Sequence, residues 1–397
     1  MRGALSWPFL RLYILTLLYF SANSILNVII PLKGESLGAT NTTIGIVMGA
    51  YLFTTMLFRP WAGHVIQQHG PIKVLRVILI INGVALVLYT FTGLGGYFVA
   101  RMLQGVCTAF FSMALQLGII DALPDKDRSQ GISLYSLCAS MPGIIGPLLA
   151  LGMWQSDDMN LFTLAMVAIA ICTGVVGFSA NIDKQEKEQE KGQSEPSPGA
   201  TMRQSVSQVV KNPHLFKCSV LMLTASIVFG AVTTFVPLYA GQIENGNAAF
   251  YLMLQAATLV LARFFLRKKI PSDGQWHSYV VMGIMMMVAV AAQCTSFSIV
   301  GGAVFFYAGA VLMGIAQALL YPMLTTYLTF VLPQANRNVL IGFFIATADL
   351  GVSLGGVIMG PVADMFSYSV MYMICALLGV LMVIFAYERR RMFGEPK

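Results

Sequence analysis

Charge is scarce in this chain. Only 10% of its 397 residues are Asp, Glu, Lys or Arg, against 57% that are apolar, which leaves too little polar surface to cover a soluble core. Metal and thiol chemistry are equally thin. The six cysteines, Cys107, Cys138, Cys172, Cys218, Cys294 and Cys375, fall in or beside apolar runs without disulfide-like or ligand-like spacing, and read as small packing residues. His64, His69, His214 and His277 all fall in expected turns and form no His-x-x-x-His pair, so no metal site is expected. No glycine loop followed by Lys-Ser or Lys-Thr is present, which argues against ATP-driven work and leaves no cofactor to expect. The net charge of +7 is scattered over short turns and forms no arginine-rich face with interleaved aromatics, so nucleic acid is not an expected partner.

What the chain has is apolar length. The mean hydropathy is +0.75, and about twelve runs recur near 10–31, 41–62, 73–92, 97–121, 131–152, 160–180, 216–239, 248–266, 278–297, 300–330, 339–361 and 367–387. At about 1.5 Å per residue, a run of roughly twenty crosses a bilayer core of about 30 Å. The first run is too long for a secretory signal and lacks a small-residue cleavage site before "PLKGESLG", so it reads as a retained helix. With these spans, only Lys33 falls in a loop on one side. The other side holds Lys73, Lys126, Arg128, Arg267, Lys268, Lys269, Arg337 and Arg389 to Arg391. The positive-inside rule then places both termini in the cytoplasm of a multi-pass cell-membrane protein whose first partner is the lipid bilayer.

A single long polar low-complexity run, "NIDKQEKEQEKGQSEPSPGA", divides the spans six and six. The expected organisation is a six-helix bundle over 1–181, a cytoplasmic linker over 182–214 and a second bundle over 215–397. Landmarks recur across the linker. Pro31-Leu32 answers Pro237-Leu238, Arg59 answers Arg263, and Gly105, Pro124 and Arg128 answer Gly314, Pro333 and Arg337 with the same nineteen residues from glycine to proline. Two pseudo-symmetric six-helix halves in an all-α integral membrane protein are the architecture of the major facilitator superfamily, which the chain resembles over nearly its whole length.

Several side chains stand out within the spans. "RMLQGVCTA" resembles the family's Arg-x-x-Gln-Gly element, and places Arg101, Gln104 and Thr108 on one helical face. A charge within a span costs roughly 2.5–3.5 kcal/mol on insertion scales, so Arg101 should meet a substrate carboxylate or another partner, unless it snorkels to the interface. Asp349 in "FFIATADLGVSLGG" stands near the centre of an apolar stretch, where its charged form is disfavoured; it suits proton exchange, a substrate amine, or a structural pairing with a cation. Asn23 and Asn27 share a face, and line either a cavity or a helix contact. Gln116, Gln255 and Gln317 carry the same ambiguity, and Tyr51, Phe235, Tyr239 and Tyr321 are candidate cavity walls.

Other motifs concern motion. Gly146-Pro147 in "MPGIIGPLLALG" is a partial match to the Gly-x-x-x-Gly-Pro element that the resemblance associates with proton-coupled exporters, with Pro142 where the upstream glycine is expected. "GGVIMGPVAD" in the eleventh span looks similar. In "GHVIQQHGPIK" the family's gating loop keeps Gly63, Gly70 and Lys73, while Gln67 and Gln68 replace its acid and arginine. Either Arg59 and Arg76 at its flanks take over the latch, or hydrogen bonds from the glutamines give a weaker inner gate. Asp121, Asp127 and Arg128 form either an inter-helix charge network or an ordinary solvated loop.

The stretches "RGALSWPFLRLYILTL", "RPWAG…GPIKVLR", "ARMLQGVCTAFFSMALQLGIIDALP", "RKKIPSDGQWH" and "ADLGVSLGG" together resemble the staphylopine exporters and their relatives, which export opine-type metallophores. The resemblance implies a monomeric secondary transporter that exports a small, polar, multi-carboxylate zwitterion in exchange for protons, with the metal captured after export. A multidrug exporter of hydrophobic cations is the alternative. A membrane-embedded enzyme or sensor fits less well, because no clustered nucleophile, base and metal set is present and no soluble signalling domain follows.

Overall fold

The computed structural model describes residues 5–123, 125–156, 159–179, 212–266, 271, 274–333 and 337–387. The central polar run therefore lies outside the described residues. Those described are helical nearly throughout: α1 (Trp7–Ser36), α2 (Asn41–His69), α3 (Pro71–Phe91), α4 (Leu94–Ala122), α5 (Asp125–Ser140), α6 (Pro142–Gln155), α7 (Met159–Ser179), α8 (Pro213–Tyr239), α9 (Ala248–Leu266), α10 (Ser278–Val331), α11 (Arg337–Met365) and α12 (Tyr368–Ala386). Eleven segments are long and apolar enough to span a bilayer, and one of them, α10, is 54 residues long. Gly302, at φ 71°, breaks α10 into two spans, which restores the expected twelve among the described residues.

Local chemistry fixes the helix ends. Thr40 Oγ1 accepts from Thr43 N at 3.2 Å to cap α2, and Asn212 Oδ1 accepts from His214 N and Leu215 N, each at 3.1 Å, to cap α8. In the fifth span Pro142 lacks the N–H needed to bond back into α5, so a new helical stretch begins there, yet Met141 keeps helical dihedrals and 130–155 remains one span. One expectation changes here. The expected loop after the second span is mostly helix. Apart from Gly70 at φ 81°, no residue separates α2 from α3, and Pro71 opens the new helix. Outward side chains such as Ile80, Val84, Leu164, Val175, Leu377 and Ile384 are exposed, an apolar surface suited to lipid.

The repeat is visible in the packing. A side chain at Gly105 would meet Tyr51, Thr54 and Thr55 of α2, and one at Gly314 would meet Gln255, Thr258 and Leu259 of α9. Each glycine thus seats its helix against the equivalent neighbour in its own half.

The halves are joined unevenly. Toward the end carrying the 37–40 turn they share one apolar core, in which Ile25, Ile29, Ile44 and Met48 pack with Val232, Phe235, Val236 and Met359. Toward the end of the chain termini the first half keeps a separate core around Phe9, Leu12, Ile66, Ile119 and Leu123. At the joined end α2 and α11 meet backbone to backbone: a side chain at Gly45 would strike the Gly356 carbonyl, one at Gly49 the Ser353 carbonyl, and one at Gly360 the Asn41 carbonyl.

Asp364 completes this closure by capping the opposite half. Its carboxylate accepts from Asn41 N at 2.8 Å, Thr42 N at 2.9 Å and Thr42 Oγ1 at 2.6 Å, while Tyr368 OH donates to Asn41 Oδ1 at 2.6 Å. A carboxylate at an exposed helix N-terminus is worth about 1 kcal/mol. Asp364→Ala is therefore expected to raise the population open at this end roughly fivefold. Spin labels at Leu37 and Phe366 would report it as a new long-distance peak, and an unchanged distribution would deny Asp364 a latch role.

Candidate functional site

Arg101 organises the centre of the first half. It is completely buried, donates from one terminal nitrogen to Asn23 Oδ1 at 2.6 Å and from the other to Asn27 Oδ1 at 2.8 Å, and lies 5.3 Å from the Tyr51 ring centre. Met48 Sδ accepts a further contact at 3.3 Å. No carboxylate pairs with it among the described residues, and its Nε has no partner. The consequence for the asparagines is geometric. A guanidinium only donates, so each amide must give it the oxygen and keep its NH2 free for other acceptors.

Asn23 and Asn27 line a cavity of about 290 Å³ between the halves, near the lower bound for small-molecule sites. Gln255, Arg263 and Gln317 line it from the second half, and Ser24, Ser140 and Thr233 add hydroxyls. Gln255 Nε2 donates to Gln317 Oε1 at 3.3 Å. Arg263 is the one charged side chain in the lining among the described residues, and its Nε is buried without a partner. Arg101 itself stands behind the asparagines. Its charge reaches the cavity through their amides.

Asp349 lies elsewhere. Its Oδ2 accepts from Arg59 Nε at 2.8 Å, with side chains 14% and 25% exposed respectively, so the pair tying α11 to α2 stays within reach of water. The structure brings an expected coupling residue and an expected gating residue into one ion pair across the halves. Tyr321, stacked on Phe344 at 6.0 Å between ring centroids, is within electrostatic reach of Arg59, Asp349 and Arg263. Tyr51 lies two turns from Arg59 on the same helix, and its hydroxyl is 3.0 Å from Thr108 Oγ1, as is that of Tyr19.

The remaining candidates separate. Gln104 accepts from Tyr89 at 2.8 Å and is buried, and Gln116 bonds Tyr135 of α5; neither lines the cavity. Gly146 packs on Ser24 of α1, its own half, so the close approach between halves is not made there. Gly45, Gly49, Gly356 and Gly360 make it instead, joined by Gly143 against Ala256 of α9. Pro147 lines the cavity. Gly63 stands inside α2, Gly70 is the turn, and Lys73 is exposed in α3. The side chains of Gln67, Asp121 and Arg128 lie outside the described residues, and Gln68 bonds His64 at 2.8 Å within its own helix. Phe235 and Tyr239 are core residues. The sequence signal missed for Arg263 was its spacing from Gln255 and Leu259, which puts all three on one helix face.

Twelve apolar spans among the described residues, in two repeats around a polar cavity, define a membrane carrier. The family model of the Major Facilitator Superfamily matches residues 12–272. A staphylopine export protein of Staphylococcus aureus is 52% identical over 98% of both chains. The chain belongs to the Major Facilitator Superfamily. An uncharacterised MFS-type transporter of Pseudomonas aeruginosa is 24% identical over 90% of this chain and 87% of its own. Among solved structures, an inward-facing, unoccupied bacterial homologue of the human lysosomal transporter Spinster superposes with a TM-score of 0.74 at 13% identity, covering 97% of this chain and 95% of its own. The nucleoside transporter NupG reaches 0.74 at 16% identity, over 95% and 98%. At such identities the structural likeness concerns the fold alone.

Proposed function

We propose that this chain is a secondary exporter of a small, zwitterionic, metal-free metallophore of the staphylopine type, carried out of the cytosol by alternating access in exchange for protons. The observation that carries the reading is the near full-length identity of 52% to a staphylopine export protein. The cavity supports it. A lining with amide donors, hydroxyls and Arg263, and no carboxylate among the described residues, suits a cargo with several carboxylates better than the hydrophobic cations of a multidrug exporter.

Charge and packing support the sidedness of this reading. The basic side of the sequence is the terminus end, where the halves have separate cores; with that end in the cytoplasm, this is an inward-facing carrier closed outside by α2 and α11. Cargo binds from the cytosol between the asparagines and the second half. The Arg59–Asp349 pair ties α2 to α11, and a proton on Asp349 cancels one of its charges, releasing that tie as the carrier changes state.

The test is transport of staphylopine by the full chain in proteoliposomes under an imposed pH gradient. Wild type should accumulate it and lose accumulation when a protonophore is added. Asp349→Asn should keep substrate exchange while gradient-driven accumulation falls at least about tenfold, the equivalent of 1.4 kcal/mol of lost coupling. A wild type that moves no staphylopine under any gradient rejects the cargo, and undiminished accumulation in Asp349→Asn removes that residue from coupling.

A further inference from the structure

We infer that Arg263 is a carboxylate-binding residue of the transport cavity, set free for cargo by a break in the symmetry between the halves. The inference rests on the cargo reading above and specifies how the anionic groups are held.

The repeat supplies the argument. Arg59 follows Thr54 by five residues and Arg263 follows Thr258 by five, and those threonines sit under the equivalent glycines Gly105 and Gly314. The two arginines are therefore counterparts. Asp349 precedes Gly360-Pro361 by eleven residues, and the residue eleven before Gly146-Pro147 is Tyr135. So the first half offers a neutral phenol where the second offers a carboxylate. Arg59 is paired within the protein at 2.8 Å. Arg263 faces the cavity with no carboxylate partner among the described residues.

An arginine at the edge of water-poor space favours a planar anion, because its fork matches a carboxylate with two parallel hydrogen bonds. Across the cavity the first half presents the NH2 groups that Arg101 leaves to Asn23 and Asn27. Donors thus approach from both halves. A cargo with two separated carboxylates can engage one half with each, which ties its binding to the relative position of the halves.

The experiment measures binding to the purified full chain in nanodiscs with three probes: staphylopine, its singly amidated analogues (one for each carboxyl), and citrate as a plain polycarboxylate. Wild type should bind one of the amides at least tenfold more weakly than staphylopine. Arg263→Gln should bind staphylopine and citrate at least tenfold more weakly than wild type, and should no longer distinguish staphylopine from that amide. Arg263→Lys should recover part of the citrate affinity. Monodisperse elution and an unchanged melting temperature are required of each variant. Wild-type discrimination or wild-type affinity in Arg263→Gln overturns the inference. Binding of citrate but not staphylopine by wild type overturns the cargo reading alone, and leaves Arg263 to be judged on citrate. Binding of neither overturns both.

Discussion

Arg101→Ala is expected to abolish export. The guanidinium makes hydrogen bonds of 2.6 and 2.8 Å to Asn23 and Asn27, and hydrogen bonds to charged groups contribute about 1.5–3 kcal/mol each. Losing both costs about 3 kcal/mol or more, and leaves two amide oxygens without the donor that fixed their orientation. The cavity wall would then present acceptors as readily as donors to an anionic cargo, so transport should fall more than about a hundredfold. Arg101→Lys keeps the charge but replaces a fork with a point donor that cannot hold two amides in one plane, so it should rescue only part of the loss. The measurement is initial-rate transport beside binding affinity in one preparation. Near-normal binding in folded Arg101→Ala would contradict the arrangement argued for the asparagines.

Gly45→Val is the second large effect. Its side chain would be built onto the backbone carbonyl of Gly356, which no rotamer change can move aside. Overpacking costs typically 1–3 kcal/mol, and a backbone obstacle puts this case at the upper end. At about 3 kcal/mol the ratio of carriers closed to carriers open at this end shifts by more than a hundredfold. The variant should remain folded, since the obstacle exists only where the halves meet, yet stay open outside and export almost nothing. Gly63→Ala is the control, because a side chain there meets only Met113 Cε at 3.6 Å. Reagents added from outside should label a cysteine at Met359, buried in the closed seam, faster in Gly45→Val than in wild type. Equal labelling with normal export would mean that α2 and α11 do not close as described.

Much of this molecule was legible in its sequence because the bilayer makes strong demands. A span must be apolar for its full length, so the spans announced themselves, and duplication kept Gly105 and Gly314 at matching distances from their prolines. Arg101, Asn23 and Asn27 were separately conspicuous as polar residues in apolar runs, and helical spacing put the two asparagines on one face. The partners of Arg101 were not legible, since which helix faces which is a matter of three-dimensional packing. Asp349 illustrates the limit. Sequence offered proton exchange, an amine or a structural cation for it; the Arg59 that meets it lies 290 residues away. The gating loop misled for a local reason: its polar residues suggested a turn, yet Gly70 and Pro71 make the whole reversal and the glutamines belong to a helix. Arg263 was recognised as the mate of Arg59, but symmetry suggested that the two act alike; the structure pairs Arg59 with Asp349 and shows no carboxylate paired with Arg263 among the described residues.

The closure between α2 and α11 has a kinetic meaning. Where side chains interlock, parting two helices requires each to find a new rotamer, and reclosing requires all of them to return. Glycine backbones resting on backbone carbonyls hold no such memory. Along that strip they separate and meet again as smooth surfaces, and the polar ties across it, from Asp364 to Asn41 and Thr42 and from Ser353 Oγ to the Gly49 carbonyl, join the Arg59–Asp349 pair in setting how long the helices stay together. Such a seam can be tight against leakage and still quick to cycle, and for a carrier that must pass through it twice in every turnover, speed of reclosure matters as much as strength of the seal.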